Sequence, residues 1–388
     1  MILQADWLAR PAVQALFAMA NDAGHELHAV GGCVRNTLLH QPVADVDFAC
    51  SAPPETVAKL AKAAGYRVLP TGIEHGTLTV LVDGEGYEVT TWRKDVATDG
   101  RRATIAYASS LFDDALRRDF TMNAIYANAD GTLVNPVGGL ADALNHRLRF
   151  IGDADARIAE DYLRILRYFR FYAWYCDPSD GPDAEALAAI AAGLEGLATL
   201  SGERVGAEMA RLLAAPDPGP ALALMGQCGA LGAVLPGADA WLIGPLIHIE
   251  GLEGIVPRWQ RRLAALGRGE DWADRLRLSR ADASALADCA AAGEVPSLAV
   301  AGYLYGEDAA LDQALMTAAM MAEAPAEGWQ GEILRGAQAS FPLRAADFPD
   351  LAGPALGAAL KSAKARWLAT DLWASRDKLL DIDSRLGF

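Results

Sequence analysis

The sequence predicts an α+β N-terminal domain, built on a small mixed β-sheet with helices, followed by an all-helical remainder. Three observations carry this. Short alternating or β-branched runs, separated by turn residues, crowd residues 27–151. From Asp153 apolar residues recur at helical spacing, in Ile158, Tyr162, Ile165, Phe169 and Tyr172, and the chain stays Ala- and Leu-rich with Gly or Pro breaks to its end. At 388 residues the chain also exceeds a single core, since domains mostly run to about 100–200 residues.

Each element has a local reason. Leu27 to Val30 is a short strand, and Gly31-Gly32 then opens a helical run from Cys33 to Leu39. Asp45 to Cys50 alternates strictly, with Val46 and Phe48 on one face and Asp45 and Asp47 on the other. Ser51 is the expected cap of a helix that Pro53-Pro54 starts and that runs to about Ala64. Strands Thr77 to Val82 and Tyr87 to Trp92 are joined through Asp83-Gly84-Glu85-Gly86. Beyond residue 153, the Pro- and Gly-rich breaks at 178–182, 216–220 and 323–328 are the expected joints between helical regions.

Composition excludes several classes. No window of about 18 uninterrupted apolar residues exists, so no membrane span is expected. The N-terminus lacks a basic start followed by a clean apolar run, so no secretion signal is expected either. Five scattered cysteines, never in a CxxC pair, argue against a disulfide framework or structural zinc and for a reducing, cytoplasmic setting. With 34 Lys and Arg against 50 Asp and Glu, the net charge of −16 repels a nucleic-acid backbone on average, so any nucleic acid must meet a local basic patch. Arginines do cluster, at 101–102, 117–118 and 147–170, with a second group through 258–280.

Asp45 and Asp47 put two carboxylates on one strand face, where they could hold a divalent cation such as Mg²⁺ for phosphoryl transfer. A lone DxD pair more often marks an acidic outer face. Upstream, however, the Gly31-Gly32 turn into a helix, followed by Arg35, is a pattern that lets backbone and guanidinium approach phosphate oxygens. If the strand of Glu88 neighbours that of Asp47, Glu88 completes a carboxylate triad. The run Arg117-Arg118-Asp119-Phe120-Thr121-Met122-Asn123 offers guanidiniums for a triphosphate and Asp119 and Asn123 for ribose hydroxyls, or reads as a surface salt-bridge cluster. A single amphipathic helix is expected across 157–172. Its polar face stacks Arg157, Glu160, Asp161, Arg164 and Arg167, either as salt bridges or, for Asp161 and Arg164, as donors and acceptors for the edge of a nucleobase.

In order, GGCVRN with ADVDFAC, HGTLTVLV with YEVTTWR, RRDFTMNAIYA, NPVGGLADA, EDYLRILRYFRF and LSGERVGAEM resemble the class II tRNA nucleotidyltransferase and poly(A) polymerase family, within the polymerase-β-like nucleotidyltransferases. The resemblance covers about residues 27–215. It implies a catalytic head at 1–152, a helical neck with a nucleobase-selecting helix at 153–220, and a body and tail at 221–388 that meets tRNA. It implies CTP and ATP as substrates, a tRNA 3′ end as acceptor, and no DNA or membrane partner. Two Mg²⁺ would be held by Asp45 and Asp47 with Glu88 as third ligand. Gly31, Gly32 and Arg35 fall on the triphosphate motif, and Arg118, Asp119 and Asn123 on the ribose and phosphate segment. Glu160, Asp161, Arg164 and Arg167 fall on the motif that chooses C or A without a nucleic-acid template, and Glu203 and Arg204 on one that braces it.

Lys94 to Ala108 sits where the family has a flexible loop, and its Gly100 and unpatterned polar residues suit mobility. Asn36 and Asn135 stand where the family often has Asp. In the C-terminal third, Arg258, Arg261, Arg262, Arg268, Arg275, Arg277 and Arg280 are expected either as phosphate contacts or on solvated helix faces. The expected function is CCA addition to tRNA. Its rivals are a CC- or A-adding half enzyme, a poly(A) polymerase of the same family, against which the Pro70 to Thr77 stretch speaks because it lacks a basic element, and an inactive RNA-binding module.

Overall fold

Backbone pairing turns the alternating runs of the first 150 residues into one sheet, described here from a computed structural model. It describes residues 1–73, 76–99 and 102–386, with the backbone alone at 95–99, 102–105 and 382–386. The chain forms two compact units, Met1–Ser201 with Pro220–Val234, and Gly202–Gly219 with Leu235–Phe388.

In the first unit, helix α1 (Pro11–Asn21) starts with proline at its first turn and buries Val13, Leu16, Phe17 and Ala20 on one stripe. Strand β1 (Leu27–Val30), helix α2 (Gly32–Leu38), β2 (Asp47–Cys50), α3 (Pro54–Ala63) and strands β3 (Arg67–Gly72), β4 (Thr77–Val82) and β5 (Glu85–Thr91) follow. Then come β6 (Arg93–Asp99), β7 (Arg102–Tyr107), α4 (Leu111–Leu116), β8 (Tyr126–Ala127), β9 (Leu133–Val134) and α5 (Gly139–Leu144). The sheet is ordered β3-β4-β5-β2-β1-β8-β9, with β2 and β5 parallel and the other pairs antiparallel. The mixed sheet of the sequence reading is therefore present, and Val30, Ala49, Trp92, Ala115, Ala124, Tyr126 and Ile151 form a buried cluster against it.

Helices alone follow: α6 (Ala154–Glu160), α7 (Leu163–Tyr175) and α8 (Ala184–Ala192) in this unit. The second unit takes up α9 (Gly202–Leu213), and α10 (Gly219–Gln227) and α11 (Ala230–Val234) return the chain to the first. The second unit continues with α12 (Ile243–Leu252), α13 (Trp259–Ala265), α14 (Trp272–Arg275), α15 (Arg280–Ala292), α16 (Leu298–Tyr305), α17 (Glu307–Met321), α18 (Trp329–Ala337), α19 (Gly353–Ala369) and α20 (Arg376–Leu386). Among the described residues no helix is long and apolar enough to cross a membrane.

Four expectations need correction. The second strand begins at Asp47, so Asp45 lies exposed in the segment before it. The cap of α3 is Pro53, because the Ser51 hydroxyl instead accepts the backbone N–H of Glu26 at 2.9 Å. Residues 94–99 and 102–107 pair as an antiparallel β6–β7 ribbon, not an unpatterned loop, with an irregularity between Asp95 and Ala97; Gly100 and Arg101 lie outside the described residues, as do Glu74 and His75 of the 70–77 stretch. The helix expected across 157–172 is broken. Asp161 turns to an extended backbone (φ −155°, ψ 104°) and its Oδ1 accepts the Leu163 N–H at 3.1 Å, satisfying a donor at the start of α7.

The arginines expected on the surface at 261 and 262 are buried at 2% and 1% exposure. Neither phosphate nor solvent reaches them. Arg261 bridges Glu250 (2.6 Å) and Asp312 (2.8 Å), and Arg262 bonds Glu250 at 2.8 Å. Arg258 also pairs with Asp312.

Candidate active site

The turn after β1 requires its glycine. Gly31 sits at φ +76°, a left-handed conformation, and a Cβ there would lie 3.7 Å from Nη1 of Arg118 and 4.0 Å from the carbonyl of Asn123. Gly139 is needed for a different reason, since a Cβ would stand 1.8 Å from the Thr121 carbonyl. The glycine thus lets α5 lie directly on the 121–123 backbone, and Thr121 donates to Asp142 of that helix at 2.6 Å.

Arg118 is aimed by a buried carboxylate. Asp114, four residues earlier on α4 and fully buried, accepts from Arg118 Nη2 at 3.0 Å and from the Tyr126 hydroxyl at 2.9 Å. Its other oxygen accepts Arg117 Nε at 2.8 Å. Burial would raise the Asp114 carboxyl, but Arg118 and Arg117 outweigh it and hold the group below the ordinary carboxylate range. With Nε and Nη2 of Arg118 so engaged, Nη1 is the nitrogen turned toward Gly31. Sequence reasoning missed Asp114 and Tyr126. The available signal was the spacing, an aspartate three and four positions before two arginines in a helix.

Asp119, 8% exposed, accepts from Asn123 Nδ2 (2.9 Å), from the Phe120 N–H (2.9 Å) and from Arg167 Nε (2.7 Å). Burial alone would raise its pKa; Arg167 and the Asn123 and Phe120 donors overcome that and set it at about 2. The depressed value means this carboxylate stabilises the fold above about pH 4 and loses that contribution as pH falls toward 2. Acid unfolding of the wild type is expected to show a component in that window that Asp119→Asn lacks, measured by circular dichroism. An unchanged acid limb in the variant would refute it.

Arg35 is 6% exposed and spends its donors inside the protein. It bonds Asn123 Oδ1, Asn36 Oδ1 (2.8 Å) and the Tyr175 hydroxyl (2.8 Å), and lies 4.1 Å from the Tyr175 ring centroid. Asn36, where Asp is common in the family, also donates through Nδ2 to the Pro42 carbonyl at 2.7 Å, which a carboxylate could not do.

Asp47, half-buried at the start of β2, stands opposite Glu88 in the parallel register, with exposed Asp45 two residues before it. Its carboxyl is raised to about 6, first by burial and then by Glu88 and Asp45, against a lowering by Arg118. Among the described residues no three His, Cys, Asp or Glu side chains are drawn together as a self-sufficient metal site. The donor set nonetheless fits a hard cation: carboxylate oxygens that repel one another beside the Gly31-Gly32 turn suit Mg²⁺, which typically takes one or two carboxylates and fills its shell with water and other oxygen donors.

On the facing helices Glu160 accepts Arg157 Nη1 at 2.8 Å and also pairs with Arg164 Nη1. Arg164 Nη1 donates to the Arg157 carbonyl (2.7 Å) and Nη2 to the Arg117 carbonyl (3.3 Å). Arg35, Asn123, Asp119 and Arg167 are thus joined by one continuous set of side-chain bonds, Arg118 stands next in the chain with Nη1 near the Gly31 turn, and Arg164, held by Glu160, bonds the backbone at 117. Glu203 and Arg204 stand on α9, in the second unit.

Comparison with known proteins matches residues 27–149 to the family described as poly A polymerase head domain, and 182–242 to the one described as probable RNA and SrmB- binding site of polymerase A. The chain is 39% identical over 264 residues to CCA tRNA nucleotidyltransferase 1, mitochondrial, of Mus musculus, covering 68% of this chain and 60% of that protein. It is 44% identical over 156 residues to the CCA-adding enzyme of Leuconostoc citreum, covering 40% of this chain and 38% of the other. The matched segments therefore span less than two thirds of these relatives. The structure of the Bacillus stearothermophilus CCA-adding enzyme in complex with CTP is similar with a TM-score of 0.74 at 27% identity, covering 93% of this chain and 94% of that one. The Thermotoga maritima CCA-adding enzyme complexed with tRNA shares the fold, with a TM-score of 0.69 at 18% identity over 96% and 94% of the two chains. The motif order, the two matched segments and these relatives agree that the chain is similar to the tRNA nucleotidyltransferase and poly(A) polymerase family, with the head-domain match at residues 27–149.

Proposed function

We propose that this chain adds CCA to tRNA 3′ ends from CTP and ATP, without a nucleic-acid template, by Mg²⁺-dependent phosphoryl transfer. The single observation that carries the reading is the joint between two sets of side chains: Arg118, aimed by Asp114 at the Gly31 turn beside Asp47, and Arg164, held by Glu160 and bonded to the neighbouring Arg117 carbonyl. The names and substrates of the similar proteins support it. Residues 1–152 then serve as catalytic head, 153–220 as neck, and 221–388 as the body and tail that meets tRNA. Five free cysteines favour the reducing, cytoplasmic setting.

In this reading Gly31 and Gly32 admit the triphosphate close to the backbone, and Arg118 Nη1 meets its oxygens. Asp119 and Asn123 hold the ribose hydroxyls, with Arg167 and Arg35 fixing those two side chains from behind. Asp161 and Arg164 present an acceptor and a donor to the base edge, and Glu160 orients Arg164. Asp45, Asp47 and Glu88 would hold Mg²⁺, which when bound neutralises phosphate charge and lowers the pKa of the attacking hydroxyl. The tRNA 3′ oxygen forms a bond to the α-phosphorus, the bond from that phosphorus to the bridging oxygen breaks, and pyrophosphate leaves with those electrons. Positioning by fixed donors does most of the work.

The test incubates the protein and Mg²⁺ with tRNA transcripts ending before CCA, after C and after CC, with CTP, ATP or both, and reads product lengths on a gel. Growth of the shortest by three residues and then arrest is expected. Arrest after CC, activity on the CC-ended transcript alone, or a long A ladder would replace the reading by a half enzyme or a poly(A) polymerase. No product would favour an inactive binding module. In the same assay Arg164→Ala is expected to lose discrimination among nucleotides more than turnover; full selectivity would remove Arg164 from base reading.

A further inference from the structure

We propose that Arg157 is a positioning residue that couples base selection to the grip on the triphosphate, an inference that rests on the nucleotide-adding reading above. Helix α4 ends at Leu116, so the carbonyls that follow lack intrahelical donors and must find others. Arg157 Nη2 donates to the Leu116 carbonyl at 2.8 Å and to the Arg118 carbonyl at 2.9 Å, while Arg164 Nη2 takes the Arg117 carbonyl between them at 3.3 Å. Two guanidiniums from α6 and α7 therefore clamp the three-residue backbone that carries Arg118.

Arg157 also sets Arg164 by two routes. Its Nη1 holds Glu160 at 2.8 Å, the carboxylate that bonds Arg164, and its own carbonyl accepts Arg164 Nη1 at 2.7 Å. The Arg157 side chain is only 12% exposed, and it stands one step behind both the residue proposed to read the base and the one proposed to hold phosphate. An ordinary i,i+3 pair with Glu160 would matter only to helix stability. The planar fork bonded to two carbonyls and a carboxylate is what a lysine cannot reproduce.

The experiment makes Arg157→Lys and Arg157→Ala in the full chain and measures kcat and KM for CTP, UTP, ATP and GTP on stalled tRNA ends, with thermal melting alongside. In both variants the preference for CTP over UTP and for ATP over GTP is expected to fall about tenfold, and KM for the correct nucleotide to rise by a similar factor. Adding Arg157→Ala to Arg164→Ala should then cost little further selectivity. Wild-type selectivity and KM in Arg157→Lys would overturn the proposal, as would additive losses in the double variant, and the lysine variant decides if alanine prevents folding. A wild type that adds no nucleotide would overturn the functional reading instead; calorimetric binding of CTP and UTP to wild type and Arg157→Lys would still decide, an unchanged ratio counting against Arg157.

Discussion

Asp47→Asn is expected to lower incorporation of both CTP and ATP by about 10³-fold, the equivalent of the several kcal/mol that charge stabilisation at a metal-binding carboxylate supplies. The substitution is nearly isosteric and removes only the charge, so the fold should survive it. Burial, with Glu88 and Asp45 behind it, raises this carboxyl to about 6, so the folded protein binds that proton more tightly than the unfolded chain does. The sign follows: the stabilisation is full below about pH 4 and is lost as pH rises through about 6. At neutral pH the ionised group is therefore a cost, which Arg118 relieves in part and a cation would relieve further. Three results should come together. Without Mg²⁺, Asp47→Asn melts at or above the wild-type temperature at pH 7.5. Mg²⁺ raises the wild-type melting temperature and does much less for the variant. Nucleotide addition by the wild type falls as pH drops below about 6. Normal turnover by Asp47→Asn would remove this residue from the chemistry.

Much of this was legible in the sequence where the pattern is local. Thr77–Val82 alternates buried and half-buried residues through its whole length, and the strand was read to the residue. Strand β3 was not, because it carries Pro70 and lies at the sheet edge with few buried positions, so neither periodicity nor β-propensity marks it. The helix break at Asp161 escaped because apolar spacing continues across it, with Ile158 and Ile165 both buried; only the competition of an aspartate side chain for the Leu163 N–H ends α6. Among the proposed site residues, the neighbourhood of Gly31 and Arg118 and the pairing of Asp47 with Glu88 are as motif and strand order led one to expect. Asp114 could not be named, because a buried carboxylate that aims an arginine looks, in sequence, like any surface pair on a short helix. The charge pattern misled most at Arg261 and Arg262: Asp312, which pairs with Arg261, is 51 residues away in sequence on α17, and Glu250, which both share, stands on α12.

Those two arginines carry the largest stability effect. Glu250→Ala is expected to destabilise the second unit by about 3–5 kcal/mol, because it strands guanidinium groups in the interior. For a unit of this size that is a fall in melting temperature on the order of 10 °C. Glu250 is 3% exposed and accepts Arg261 Nη1 at 2.6 Å and Arg262 Nη2 at 2.8 Å. Arg262 extends past it to the Leu213 carbonyl (2.8 Å), the Ala215 carbonyl and the Pro216 carbonyl (3.3 Å), supplying donors to the C-terminal end of α9. Asp312 completes the set, its carboxyl pushed up by burial against the pull of Arg261 and Arg258. Breaking the network from one side should be far worse than replacing it, so Glu250→Leu with Arg261→Leu and Arg262→Met is expected to recover most of the loss. Chemical denaturation of both variants measures the difference, and a Glu250→Ala cost under about 1 kcal/mol would show that the network holds little. If Arg262 contacted RNA phosphate, its loss would shallow the salt dependence of tRNA binding by about one ion. With its guanidinium committed to Glu250 and three carbonyls, Arg262→Met should leave that slope unchanged and move only the melting temperature.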